Sequence, residues 1–213
     1  MNTPLDKIGY EVLCDMPLDE ETLLEVAQAL GTILPQEEQD ATIRAVSEHH
    51  ANIALTRKAV PWHTEKMYAR ALPSYVILVC EEPGFGGRTL LLDGEKAAAT
   101  LLAQEPRLEK VVLGYSKGDV MITRPLIAVH PRSGNLVLRY RQEHPERLAC
   151  STIVQGNGLD AKTINSLVGS ALTTPDYEHS WTKGDVLVID NLRMLHARNA
   201  YIGERVLHRM LVQ

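Results

Sequence analysis

Short apolar runs dominate the chain and set its predicted elements. Tyr75-Val-Ile-Leu-Val-Cys80 is among the most strand-like of them. Further strands are predicted at Thr89–Leu92, Val120–Thr123, Leu126–His130, Leu136–Tyr140, Val186–Asp190 and Glu204–Val212. Pro131-Arg-Ser-Gly-Asn135 joins two of these with the residues that tight turns favour. Helical spacing occurs in three places. Asp19 reads as an N-cap, with Glu20 and Glu21 in the first turn, Leu23, Val26, Ala27 and Leu30 on one face, and Gly31 at the end. Asp93 caps a short Ala-rich helix to about Leu102. A third helix spans Asp160–Leu172, with Ile164, Leu167, Val168, Ala171 and Leu172 as its apolar face.

The strands are many and short, and the helices do not alternate with them. A doubly wound βαβ fold is therefore disfavoured. The pattern predicts a mainly β protein with flanking helices, built on a cupin-like jelly roll or double-stranded β-helix. No repeat or linker divides the 213 residues, so one domain is expected: residues 1–60 as an N-terminal helix and cover segment, and 61–213 as the jelly-roll core.

Composition narrows the function. Hydrophobic residues make up 45% and charged residues 23%, ordinary for a soluble globular chain. A net charge of −5 favours neither nucleic acid nor an anionic membrane as partner. No apolar run approaches a membrane span, and the N-terminus lacks signal-peptide features. Cys14, Cys80 and Cys150 are few and far apart, which suits reduced thiols and a cytoplasmic location.

Candidate chemistry lies in His63-Thr64-Glu65 and in the distant His196. Two imidazoles and a carboxylate leave half of an octahedral Fe(II) open for oxygen and a co-substrate. An i, i+2 spacing in an extended segment would put His63 and Glu65 on one face of a strand. With 8 His and 27 Asp plus Glu in 213 residues, one such His-x-acid pair is expected by chance, and there are two. The second, His144-Pro145-Glu146, sits in a charge-dense stretch and reads as a solvated turn.

Downstream, Arg205 and Arg209 are four apart on the predicted last strand and share a face. A chelating keto acid needs a fixed cation for its distal carboxylate, and the arginine fork is the best geometric match. Thr89, after Gly86-Gly87-Arg88, offers a hydroxyl to the same carboxylate.

Two segments carry a specific resemblance. Pro61-Trp-His-Thr-Glu65, running on to Gly84, and Lys183-Gly-Asp-Val-Leu187, running through Asp190-Asn191 to His196-Ala-Arg198, resemble the two halves of one known active site. It is that of the Fe(II)- and 2-oxoglutarate-dependent dioxygenases of the taurine dioxygenase/clavaminate synthase-like superfamily. The similarity runs in order from about residue 60 to the C-terminus, and Arg124-Pro-Leu through Val129-His-Pro-Arg-Ser-Gly134 resembles the family's mid-barrel hairpin. The resemblance implies His63, Glu65 and His196 as Fe(II) ligands, Arg205 with Thr89 as the 2-oxoglutarate anchor, and O2 as co-substrate. Arg209 becomes the candidate for an anionic group on the prime substrate, with the assignment between the two arginines open. Glu65 speaks against halogenation, since related halogenases carry Ala or Gly there.

The implied reaction is oxidation of a C–H bond in a small amino acid or amino-acid derivative of specialised metabolism, free or carried on another protein. Hydroxylation is the default; desaturation, cyclisation and epoxidation use the same site. Relatives that hold a basic side chain place an acid after an Arg-aromatic pair, whereas here Arg139-Tyr140 is followed by Arg141. Arg139 and Arg141 are accordingly candidate substrate contacts, for a substrate that is not guanidino-basic. His49 and His50, before the first motif, are weak candidates; His130, His179 and His208 read as turn, loop and packing residues. Gly84-Phe-Gly-Gly87 reads as a turn, without the Gly-Lys-Ser/Thr of a phosphate loop. Two rival readings remain: a cupin-like binding protein without turnover, and a zinc hydrolase, which lacks a His-Glu-x-x-His helix.

Overall fold

The computed structural model describes residues 3–35, 44–46, 56–117, 119–143 and 150–213. His49, His50, the His144-Pro145-Glu146 turn and most of the expected cover segment lie outside the described residues. The chain opens with α1 (Pro4–Ile8), β1 (Tyr10–Leu13), α2 (Glu20–Gln28) and β2 (Arg44–Val46). Next come β3 (Val60–His63), β4 (Tyr75–Glu82), β5 (Phe85–Gly86), β6 (Thr89–Asp93) and α3 (Gly94–Gln104). A 3-10 turn at Pro106–Lys110 leads to β7 (Val112–Lys117), β8 (Val120–Pro125), β9 (Ile127–Val129), β10 (Leu136–Leu138) and β11 (Cys150–Gln155). The last third holds α4 (Ala161–Ala171), β12 (Tyr177–His179), β13 (Val186–Asp190), β14 (Met194–Arg198), β15 (Tyr201–Ile202) and β16 (Val206–Val212). The fold is mainly β with few helices, and no described helix is long and apolar enough to cross a membrane.

The three expected helices form, with Asp19 and Asp93 as the N-caps expected of them, while α2 ends at an Ala29 C-cap two residues before the expected Gly31. Asp19, Asp93 and Asp160 each accept a backbone N–H in the first turn, satisfying a donor that the helix cannot. The helix α1, the edge strand β1, and β2, β5, β7, β11, β12 and β15 were not predicted. The β1 residues are all half-buried, and Gly114 interrupts the apolar run of β7, so neither carries a clean period-two pattern.

Two antiparallel sheets position the site. One runs β1-β13-β4-β16-β2 and the other β12-β6-β14-β3. Val76 and Cys80 of β4, Leu187 and Ile189 of β13, and Leu207 and Leu211 of β16 pack with Leu91 of β6 and Met194 of β14 in one cluster between them. The alternate residues of each strand face outward onto helices. Ile77, Val79, Met210 and Val212 meet Leu23 and Ala27 of α2. Trp62, Leu92, Leu195 and Ala197 meet Ala98 and Leu101 of α3 and Ile164 and Val168 of α4. Strands buried on both faces explain why β4 and β13 read as continuous apolar runs. Because Leu195 and Ala197 face the helices, the period of two turns His196 and Arg198 inward, between the sheets.

Candidate active site

The inward positions of the two sheets converge on one cleft. It is lined by Val60, His63, Glu65, Val76, Leu78, Thr89, His196, Ala197, Arg198, Arg205, Leu207 and Arg209. His63 and His196 lie directly opposite each other where β3 pairs with β14, which joins residues 133 positions apart in the chain. Their rings stand 4.1 Å apart between centroids. Glu65 Oε2 lies 3.8 Å from His63 Nε2 and 3.7 Å from His196 Nε2.

Glu65 does not lie on a strand. The expected shared strand face is corrected: β3 ends at His63, and Glu65 opens a turn in which Lys66 adopts φ 59°. The cause is a change of hydrogen-bond partner. Thr64 N–H donates to the Tyr140 carbonyl, while Glu65 N–H donates to the side-chain oxygen of Asn191 at 2.7 Å. The Asn191 amide donates in return to the carbonyls of Glu65 and Pro73. One buried amide therefore ties the turn to the β13–β14 connection and aims the carboxylate back at the imidazoles.

Burial pushes the Glu65 carboxyl up. Arg209, 3.2 Å from Oε1, and the two imidazoles outweigh burial and hold it well below the usual carboxylate range. Glu65 is thus an anion ready to bind a cation. His63 Nδ1 lies 2.9 Å from the Pro61 carbonyl, a contact that fixes the tautomer and leaves Nε2 facing the cleft. His196 Nδ1 is buried without a hydrogen-bond partner.

The other end of the cleft is cationic. Arg205 is 3% exposed, one residue before β16, and no carboxylate pairs with it among the described residues. Its Nε is buried without a hydrogen-bond partner, and its Nη2 reaches the Gly87 carbonyl only at 3.4 Å. Burial, and next the nearby Arg198, push its guanidinium down to about 10. It stays charged at neutral pH. Tyr201 lies against both cations, its ring centroid 5.0 Å from Arg198 Cζ and 5.3 Å from Arg205 Cζ. Gly87 makes this packing feasible: a Cβ there would fall 2.9 Å from Tyr201 Cβ and 3.1 Å from Arg205 Nε. Thr89 Oγ1 accepts from the Trp181 indole at 3.0 Å, so its own proton can go to an acceptor in the cleft.

The structure brings His63, Glu65, His196, Thr89, Arg205 and Arg209 to one cleft. It does not bring Arg139 there, because that guanidinium donates to the Leu192 and Val129 carbonyls. Arg141 bridges to His63 through the backbone and lies over the Tyr68 ring. His130 pairs with Asp190, His179 with Asp185 and His208 with Glu81, away from the cleft lining.

The profile of the taurine catabolism dioxygenase TauD, TfdA family matches residues 3–211. The chain belongs to this family. The dioxygenase is thus an enzyme dependent on Fe(II), 2-oxoglutarate and O2. It is similar to the 3-((Z)-2-isocyanoethenyl)-1H-indole synthase of Fischerella ambigua, 25% identical over 90% of this chain and 76% of the relative. It is 32% identical to the mitochondrial trimethyllysine dioxygenase of Gallus gallus over 72% of this chain, but spans only 40% of that protein. The crystal structure of PvcB, an Fe, alpha-ketoglutarate dependent oxygenase from an isonitrile synthetic pathway, has the same fold. The TM-score is 0.75 at 20% identity, covering 98% of this chain and 77% of that one.

Four residues at this cleft were given no role by the sequence reading: Trp181, Asn191 and Arg198, which lie in the segment that carries the resemblance, and Tyr201. Arg198 had a signal, since a residue two positions after His196 on a strand shares its face. Trp181 and Tyr201 had none, because their partners, Thr89 and the two arginines, come from other elements.

Proposed function

We propose that His63, Glu65 and His196 hold the iron of this dioxygenase, with Arg205 and Thr89 fixing the distal carboxylate of 2-oxoglutarate. The residues fit the group. Two atoms each bound at about 2.1 Å to one ion are at most about 4.2 Å apart. The 3.7 and 3.8 Å separations from Glu65 to the two imidazoles fall inside that limit. The donor set of two imidazoles and one carboxylate is that of oxygen-activating Fe(II) sites. Bound there, the metal supplies the oxygen activation and C–H oxidation that no side chain can perform. The chain supplies the rest. Arg209 and the imidazoles keep Glu65 ionised, Asn191 holds its backbone, and the walls Val76, Leu78 and Leu207 exclude water.

The observation that carries this reading is the pairing of a neutralised carboxylate with an unneutralised buried arginine in one cleft. A binding protein for a small acid needs Arg205 but has no use for a carboxylate between two histidines. A zinc hydrolase needs the three ligands but not Arg205. Membership of the dioxygenase family removes the zinc reading's remaining support.

In this reading the two facing sheets are the halves of a jelly roll, with residues 61–213 as its core and the N-terminal segment as cover. The substrate is a small amino-acid derivative, free or carrier-bound, and the outcome is hydroxylation or desaturation. The relatives named for trimethyllysine and for an isocyanide product support this class. Anaerobic addition of Fe(II) and 2-oxoglutarate tests the reading. A weak visible charge-transfer band is expected, absent in His196→Ala and weakened in Arg205→Ala. A folded, metal-loaded protein with no band would overturn it.

A further inference from the structure

We propose that Arg141 anchors an anionic group of the prime substrate, so that the enzyme oxidises a small acid on carbon close to its anionic end. The proposal rests on the metal reading given above and adds a substrate class to it.

Sheet register supplies the first support. His196 lies opposite His63 on one side of β3, and Arg141 lies opposite His63 on the other. Directly opposed residues put their side chains on the same face of a sheet. His196, His63 and Arg141 therefore stand in one file, each about 4.8 Å from the next along the hydrogen-bonding direction. The neighbours confirm the phase. Trp62 and Tyr140, each one residue earlier, both pack in the outer core against the helices. Arg141 thus leaves the sheet on the side of the two histidines, one strand beyond them, and its guanidinium runs on to the Tyr68 ring, beside rather than within the cleft lining.

The second support is the state of the guanidinium. It lies 5.7 Å from the Tyr68 ring centroid, and Nη1 is buried with no hydrogen-bond partner. Among the described residues no carboxylate pairs with it, although Arg132, Arg193 and Arg209 each have one. A half-buried guanidinium on an aromatic face, with one buried nitrogen unpartnered and no carboxylate beside it among the described residues, is poised for an incoming anion.

Third, the arginines that could compete are engaged, while Lys66 shares the Tyr68 ring with Arg141, its Nζ 5.6 Å from the centroid, and adds positive charge at the same place. Arg209, which the family resemblance offers for the substrate anion, is already 3.2 Å from Glu65 Oε1. Arg198 donates to the Thr56 and Lys58 carbonyls, and Arg139 to those of Leu192 and Val129. Arg205 is read as the co-substrate anchor. The backbones of Arg141 and His63 are about one strand spacing apart, and the arginine side chain carries its guanidinium further out, to Tyr68, so a small amino acid or short acyl chain is the span to be bridged. A basic side chain at this point would meet like charge.

The test loads the protein with Mn(II) and N-oxalylglycine, an unreactive stand-in for 2-oxoglutarate, and titrates it calorimetrically. The probes are the common L-amino acids and their N-acetyl forms, each as free acid and as primary amide. Acids are expected to bind at least about tenfold tighter than their amides. Arg141→Gln should weaken the best acid about 10- to 100-fold, leave its amide unchanged and leave Mn(II) affinity unchanged, with partial rescue in Arg141→Lys. Unchanged metal affinity in the variant shows that it has folded. Equal binding of acids and amides, no binding by any acid, or loss on Arg209→Gln with none on Arg141→Gln would overturn the proposal. Failure of the metal reading shows separately, as equal Mn(II) binding by wild type and Glu65→Ala, and it removes both.

Discussion

The two ends of the cleft are built on opposite principles. At one end Glu65 is surrounded: Arg209 lies on one oxygen, two imidazoles lie near the other, and Asn191 holds its backbone. At the other end Arg205 is also buried but faces another arginine and an aromatic ring, with no carboxylate beside it among the described residues. A protein that buried both charges for stability alone would pair them with each other. Leaving a guanidinium desolvated and unneutralised costs stability. The difference teaches that one end is prepared for a cation and the other for an anion, each of them a ligand.

The comparison breaks most severely at the metal end. Glu65→Ala or His196→Ala should lower Mn(II) affinity more than about 100-fold, because even partners outside the ligand set commonly cost about 10- to 100-fold. Succinate release should vanish while far-UV circular dichroism keeps its wild-type form. Metal affinity like wild type in Glu65→Ala would detach the carboxylate from the site.

At the anion end Arg205→Gln should act on 2-oxoglutarate alone. Truncating one partner of a buried charge pair costs about 2–5 kcal/mol, roughly 30-fold or more in KM. Mn(II) affinity measured without co-substrate should stay at the wild-type value. Equal losses of both affinities would show that the two ends are not separable.

A milder route to the same end runs through Gly87. Its φ of 65° and the 2.9 and 3.1 Å approaches of a Cβ to Tyr201 and Arg205 leave alanine nowhere to go. Gly87→Ala should cost about 1–3 kcal/mol of stability and shift Arg205. A lower Tm together with a KM for 2-oxoglutarate raised less than in Arg205→Gln is expected. A KM unchanged despite the lower Tm would mean that the guanidinium keeps its place.

Legibility in the sequence follows the same division. The strands that read as apolar runs are those buried on both faces, β4 and β13, and the helices with aspartate caps were placed to within two residues at each end. The three ligand candidates were visible because their chemistry is scarce in the chain. How Glu65 reaches the cleft was not visible, since the strand ends where a side chain 126 positions away takes over its hydrogen bond. Arg139 was misplaced for a related reason. Its strand parity is that of Arg141, but the Leu192 and Val129 carbonyls claim it, and residue spacing carries no record of carbonyls supplied by other segments.

Thr89 gives the smallest effect and the finest test of the comparison. Its hydroxyl has two duties: it accepts from Trp181 Nε1 at 3.0 Å and, in the proposed reading, donates to the distal carboxylate beside Arg205. Thr89→Val removes both while keeping the shape. The lost donor to a charged group should raise the KM for 2-oxoglutarate about 3- to 10-fold, and the unpaired indole N–H should cost about 1 kcal/mol of stability. Thr89→Ser restores the hydroxyl without the methyl and should recover most of both. If valine lowers Tm but leaves KM alone, the hydroxyl only supports Trp181, and Arg205 holds the carboxylate without it. Because Thr89 lies opposite Arg198 on β14, the same strand that carries His196, such a result would confine the anion end to the arginine side of the cleft.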